Sequence, residues 1–303
     1  MADRRCTHCP GSHTGERPCL ASATTKARSW LLIEHPGPWA ERIEDTDLPE
    51  PVAEALARAA RHGVRAQFIR VPGRRRATPP LWVYTGFSGD TAPDGRPVTP
   101  WLEGRELADP AELAGLDLAS VAAGRAPGFG PPVADPLLLV CAHGRRNACC
   151  ARTGAPLARA LGERFGDQVW ETTHVGGDRY AANLVCLPHG LYYGDLDEQG
   201  AVAAARAYHR GEVTLDRYRG RAGLPEPVQA AEHFVREHTG IVAVADVTVE
   251  SMIADTAVVR AGLARYRVRV ERVDPGACGP GCSENLATYV KREVALLNGA
   301  ALV

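Results

Sequence analysis

The sequence predicts an α/β protein of two tandem β-α-β-β-α units, the first degenerate, with a small α+β appendage at the C-terminal end. Three observations carry this. Short apolar runs alternate with amphipathic helical stretches over residues 30–210, the pattern of strands packed against helices. The order of elements repeats, strands near residues 31, 66 and 81 being matched near 137, 169 and 183, as in an internal duplication. Between the copies lies the clearest linker in the chain, the Gly/Pro-rich residues 124–132. The predicted divisions are a cysteine-containing tail (1–29), the degenerate unit (30–124), the second unit (133–222) and the appendage (223–303).

Taken in order, the tail holds Cys6, Cys9, Cys19, His8 and His13 among small polar residues. Cys6-x-x-Cys9 has zinc-chelating spacing, but no second such pair follows at finger distance. A strand runs from Trp30 into the Pro/Gly turn before Trp39, and residues 51–62 form a helix stopped by Gly63. Strands at 66–71 and 81–85 flank a basic loop, and a helical pattern covers 109–123. The second unit repeats this with a strand at 137–141, a helix at 154–165 and a strand at 169–173. A hairpin of 183–187 and 191–196 turning at Pro188-His-Gly190 follows, then a helix at 201–208. In the appendage a helix at 229–237 precedes alternating strands at 244–249 and 266–273. A tight Cys278-x-x-x-Cys282 loop leads to a last helix or strand from about residue 285.

Composition narrows the partners. Lys and Arg number 35 against 36 Asp and Glu, so the net charge of −1 gives no reason to expect nucleic acid or an anionic membrane. No apolar run is long enough to span a bilayer, and the first residues lack the apolar core of a secretory signal. Nine cysteines, an odd number, point to thiols or metal ligands in a reducing compartment rather than to a disulfide framework. The expectation is a cytoplasmic protein.

The chemistry-bearing residues concentrate on two strand-to-helix loops of the second unit. The first carries Cys141, Cys149 and Cys150, the second His174 and Asp178. Soft thiols facing an imidazole and a carboxylate form a candidate metal or cluster cage. A helix beginning just after Cys150 would favour thiolate there through its N-terminal dipole. Gly176-Gly177 permits a close approach of the second loop, because glycine lacks a Cβ and tolerates positive φ. Arg145, Arg146 and Arg179 border the loops and offset thiolate charge. Only the second unit is so equipped, since no cysteine occurs between residues 20 and 140.

Those residues match a known pattern. Cys141-x-His143-x-x-Arg146-Asn147-x-x-Cys150, with His174-Val-Gly-Gly-x-Arg-Tyr-Ala-x-Asn183, resembles the sucrase/ferredoxin-like proteins, a branch of the thioredoxin-like [2Fe-2S] ferredoxins. The Trp30–Trp39 stretch and Leu187-Pro-x-Gly-Leu-Tyr-Tyr-Gly194 extend the likeness over roughly residues 30–210. The resemblance implies thioredoxin-like units and a [2Fe-2S] cluster held by two cysteines of the first loop and two ligands of the second. It also implies an unknown protein redox partner. Members of this kind carry His-x-x-x-His or Cys-x-x-x-Cys in the second loop; here the pair is His174-x-x-x-Asp178, and carboxylate oxygen is a hard ligand for iron–sulfur chemistry. The ligand set is therefore Cys141, Cys150, His174 and Asp178, with Cys149 or Cys186 as alternatives to Asp178, or no cluster and a zinc or dithiol site instead. Imidazole ligation raises the reduction potential over four thiolates and makes it pH-dependent.

Blander readings sit beside these. Of the adjacent pair Cys149 and Cys150, one is expected to be a small buried residue, and Cys186 to pack in an apolar strand. His143 and His189 are expected in solvated turns, and Tyr180 and Asn183 to brace the second loop by hydrogen bonds. No Gly-x-Ser-x-Gly, His-Glu-x-x-His, P-loop or dinucleotide fingerprint is present. The two facing carboxylates of a glycosidase cannot be placed from sequence. The leading expectation is electron transfer or redox sensing; the rivals are a thiol-disulfide oxidoreductase and a zinc-stabilised binding module.

Overall fold

The computed structural model describes residues 20–73, 80–177, 180–274 and 287–297. Cys6, His8, Cys9, His13, Cys19, Asp178, Arg179, Cys278 and Cys282, singled out in the sequence, lie outside the described residues.

Continuous apolar runs make central strands, buried on both faces, and two such runs anchor the fold. β1 (Ser29–Glu34) and β5 (Leu137–Cys141) are buried along their whole length. Beside β1 run β2 (Arg65–Arg70), parallel, and β3 (Leu81–Phe87), antiparallel, with β4 (Trp101–Leu107) outside β3. Beside β5 run β6 (Val169–Thr172), parallel, and β7 (Leu184–Leu187), antiparallel, with β8 (Leu191–Tyr193) outside β7. The second strands then pair with each other, β2 antiparallel to β6, so both halves share one nine-stranded sheet ordered β4-β3-β1-β2-β6-β5-β7-β8-β9, where β9 is Tyr218–Arg221. The strand orders mirror each other about that junction. It is only two residue pairs long, Ile69 with Thr172 and Arg70 with Glu171, and the latter is also an ion pair of 2.6 Å.

Helices cover the faces as the periodicity predicts. α1 (Glu50–Arg61) buries Val52, Ala55, Leu56 and Ala59, and Gly63 at φ +69° closes it. α3 (Ala155–Phe165) and α4 (Glu198–His209) pack on the downstream half. The helix expected over 109–123 is broken in two. Asp109 caps a 3-10 turn at Pro110–Gly115, and Asp117 then caps a new helix, α2 (Leu118–Ala122), by accepting from the Ser120 N–H at 3.0 Å.

Two further expectations change. The linker is fixed along the edge of β4, with Phe129 N–H donating to Glu103 and Val133 N–H to the Leu102 carbonyl. Order also starts before Trp30, because Ala21, Ala23 and Ala27 are buried and Ser22 and Ala23 donate their N–H groups to the Arg219 carbonyl. The appendage is α+β as expected. α5 (Glu226–Thr239) lies on an antiparallel sheet of β10 (Val247–Ile253), β11 (Thr256–Ala261), β12 (Ala264–Val273) and β13 (Thr288–Leu297). Residues 244–246 are a 3-10 turn rather than strand. No helix among the described residues is long and apolar enough to cross a membrane.

Candidate metal centre

Parallel strands end at one edge of their sheet, and the loops that leave them gather there. β5 and β6 are such neighbours, Cys141 pairing with Thr172 at their C-terminal ends. Cys141 is the last residue of β5, and its N–H donates to the Asn183 carbonyl at 3.0 Å. His174 follows β6 by two residues. Cys150 opens a π-helical turn, Cys150–Gly154, that runs into α3. This turn lies directly against β5: a Cβ on Gly154 would stand 1.9 Å from the Cys141 carbonyl oxygen. Glycine there is what lets Cys150 reach Cys141.

Three of the expected ligands converge. His174 Nδ1 stands 4.0 Å from Cys141 Sγ and 3.8 Å from Cys150 Sγ, and all three donor atoms lie within 4.8 Å of one another. Both cysteines are buried and His174 is half-buried. Hydrogen bonding from Cys150, helped by His174, holds the Cys141 thiol well below its ordinary range against the opposing effect of burial. Two soft sulfurs and an imidazole nitrogen suit iron–sulfur, zinc or copper chemistry, so the donor set fits the cluster the motif implies. An open cleft of about 320 Å³ reaches the centre, lined by His174, His143, Thr173, Arg65 and the Glu41–Glu44 segment.

Other expected residues separate. Cys186 is fully buried on β7 in the core cluster of Leu138 and Val140, whereas Cys141 packs with Leu137 and Leu139 on the opposite face. It is therefore no substitute ligand, and burial raises its pKa. Cys149 is half-buried, points away from its neighbour and accepts from Arg152 at 3.2 Å. The buried member of that pair is thus Cys150, which faces the centre. Cys141, Cys149 and Cys186 are free thiols. Arg146 borders the cleft and pairs with Glu41 at 3.3 Å; Arg145 is exposed.

The two histidines expected in solvated turns are withdrawn from solvent: His143 is buried, and His189 keeps its turn between β7 and β8 but is half-buried. His143 is bonded to the Ala40 carbonyl at 2.7 Å and to the His174 N–H at 3.2 Å. His189 Nδ1 meets the Tyr208 hydroxyl at 2.8 Å, and burial lowers its pKa to about 4.

The second loop is braced as expected by Asn183, whose Nδ2 donates to the Gly177 carbonyl at 2.8 Å, and by the Tyr180 N–H to the same carbonyl at 3.0 Å. A residue that sequence reasoning missed completes the brace. Arg219 is buried on β9 and donates to the Gly176 carbonyl (3.1 Å), Asn183 Oδ1 (2.7 Å) and the Ser22 carbonyl (2.8 Å), with the Tyr180 ring centred 4.9 Å away. A Cβ on Gly177, which has φ +72°, would meet Arg219 Nη2 at 2.3 Å, so the diglycine gives room for a buried guanidinium. Tyr-Arg-Gly-Arg221 carries no signal that could have announced this.

The sucrase/ferredoxin-like family profile matches residues 20–220. Altered inheritance of mitochondria protein 32 from Meyerozyma guilliermondii is 32% identical over 101 residues, 29% of this chain and 35% of that protein. The match thus spans well under half of the relative's length. No solved structure matches the chain.

Proposed function

The chain belongs to the sucrase/ferredoxin-like family, and on that premise we propose that it is an iron–sulfur redox protein. It carries one [2Fe-2S] cluster with mixed Cys/His ligation and transfers electrons to, or senses redox state for, a protein partner. The single observation that supports this is the meeting of Cys141, Cys150 and His174 from two loops on one point. Cys141 and Cys150 would hold one side, His174 the other, with Asp178 as the fourth ligand. The cluster supplies one-electron chemistry. The chain's own residues bury the sulfurs, leave the imidazole at the cleft, and supply the Arg219 charge beneath the second loop. In the same reading each β-α-β-β half is a thioredoxin-like unit, only the downstream one loaded. The reading assigns the protein to the cytoplasm, where thiols stay reduced.

A second reading has its own observation. Ligands of one tetrahedral zinc, at about 2.3 Å for sulfur and 2.0 Å for nitrogen, stand roughly 3.5 Å apart. The S···N distances of 3.8 and 4.0 Å are close to that, which favours a single-metal binding module as the alternative. A thiol-disulfide oxidoreductase built on the adjacent Cys149 and Cys150 is disfavoured, because the two face different ways.

Anaerobic purification decides between them. The proposal expects a brown protein with visible charge-transfer absorption that Cys141→Ser and Cys150→Ser abolish and Cys149→Ser and Cys186→Ala leave intact. Colourless protein with bound zinc would replace it with the binding module. Colourless, metal-free protein that reduces disulfides would replace it with the thiol enzyme.

A further inference from the structure

We propose that His143 is the positioning residue of this centre: it takes no ligand place, but holds the His174 peptide and ties it to the upstream half of the chain. The inference rests on the metal-centre reading above.

Past the end of β6 the His174 backbone has left the sheet ladder, so its N–H and carbonyl need other partners. The carbonyl accepts from Arg65 Nη2 of β2 at 3.1 Å. The N–H donates to His143 Nδ1 at 3.2 Å. That nitrogen is bare because the other, Nε2, lies 2.7 Å from the Ala40 carbonyl, which can only accept. One neutral tautomer thus satisfies both bonds at once. The ring is 2% exposed and meets Trp39 edge-on, centroids 5.8 Å apart. Trp39 is fixed in turn by its indole N–H to the His35 carbonyl at 2.9 Å and by the Arg70 guanidinium 4.1 Å above it. His143 therefore joins three segments: the loop after β1, the loop of Cys141, and the loop of His174. With the peptide units before and after its Cα each held by one bond, the His174 ring is aimed at the two sulfurs before any metal arrives. Groups of this kind, behind the ligands, typically change metal affinity 10–100-fold when removed.

Two amides dissect the contact. Asn places an oxygen near the position of Nδ1 and keeps an acceptor for the His174 N–H, while losing Ala40. Gln places its NH₂ near Nε2 and keeps Ala40, while losing His174. A residue that merely fills space would give two similar variants. Cobalt(II) is titrated into the full-length, metal-free, reduced protein without oxygen, and thiolate-to-cobalt absorption is followed. His143→Gln is expected to weaken cobalt binding at least about tenfold and to alter the band pattern as the nitrogen ligand is lost. His143→Asn should stay within about threefold of wild type. Arg65→Met, which leaves the first loop untouched, is the second variant should His143→Gln fail to fold; it too should weaken binding. Equal behaviour of the Asn and Gln variants, or wild-type affinity and spectrum for His143→Gln, overturns the role of His143; wild-type affinity and spectrum for Arg65→Met overturns the backbone clamp on His174 through which His143 is argued to act. Wild-type protein that binds no cobalt overturns the metal-centre reading itself, and the role of His143 with it.

Discussion

Replacing Gly154 by alanine tests whether the site is built as described, because two effects of opposite sign compete. By helix propensity alone, alanine in a helical turn is better than glycine by about 1 kcal/mol. The structure demands the reverse. The new Cβ would stand 1.9 Å from the Cys141 carbonyl oxygen and 3.0 Å from its carbon. Ordinary contact needs about 3.5 Å, so the turn and β5 must part by roughly 1.5 Å. The clashing atoms are backbone, which no rotamer change relieves. Overpacking costs about 1–3 kcal/mol or more, and a backbone clash sits at the upper end, so after the propensity gain the net loss should be about 2 kcal/mol, a fall in Tm of about 4 °C. Gly162→Ala is the internal control. It lies in the same helix, its Cβ would meet Pro72 at 3.8 Å, and it should stabilise by up to about 1 kcal/mol. Urea unfolding of the reduced, metal-free protein, followed by far-UV circular dichroism, compares the two. The displaced turn carries Cys150, so Gly154→Ala should also weaken cobalt binding. A Gly154→Ala protein as stable as Gly162→Ala, with wild-type metal affinity, would refute the packing argument.

Other outcomes follow from single contacts. Gly177→Ala puts a Cβ 2.3 Å from Arg219 Nη2 at φ +72°; it should destabilise by about 1–3 kcal/mol and lower metal affinity, measured by cobalt titration. Cys186→Ser leaves a hydroxyl in an apolar strand and should cost about 1–3 kcal/mol in urea unfolding without changing metal content. His189 is held neutral, its pKa depressed to about 4 from 6.5. The unfolded chain therefore binds the extra proton first, and the stability present above pH 6.5 falls as pH drops to about 4, then levels. Linkage puts that loss on the order of 3 kcal/mol, and His189→Asn should flatten the stability–pH curve in that window. Equal slopes for the two proteins would refute the assignment.

What sequence could show followed from how local its cause is. β1, β5 and α1 are legible because burial imposes a continuous apolar run on a central strand and a periodic stripe on a helix. β4 escaped because Trp-Leu-Glu-Gly-Arg-Glu-Leu107 lacks that pattern, its Gly104 being required by the Tyr84 ring, 2.3 Å from where a Cβ would be. β9 escaped because two buried arginines read as surface. The recurring order of strands was visible, but the joining of the two halves through β2 and β6 was not, since two residue pairs at a strand edge leave no local mark. In the site, Cys141, Cys150 and His174 stood out because ligands crowd into short loops. His143 and Arg219 did not, because their partners, Ala40 and Ser22, come from distant parts of the chain.

The count of iron, acid-labile sulfide and zinc in anaerobically purified wild-type protein tests the central claim most directly. A [2Fe-2S] centre requires about two iron and two sulfide per chain, both absent from the Cys141→Ser/Cys150→Ser double variant. Protein with neither iron nor sulfide, whether it holds zinc or nothing, would contradict the account.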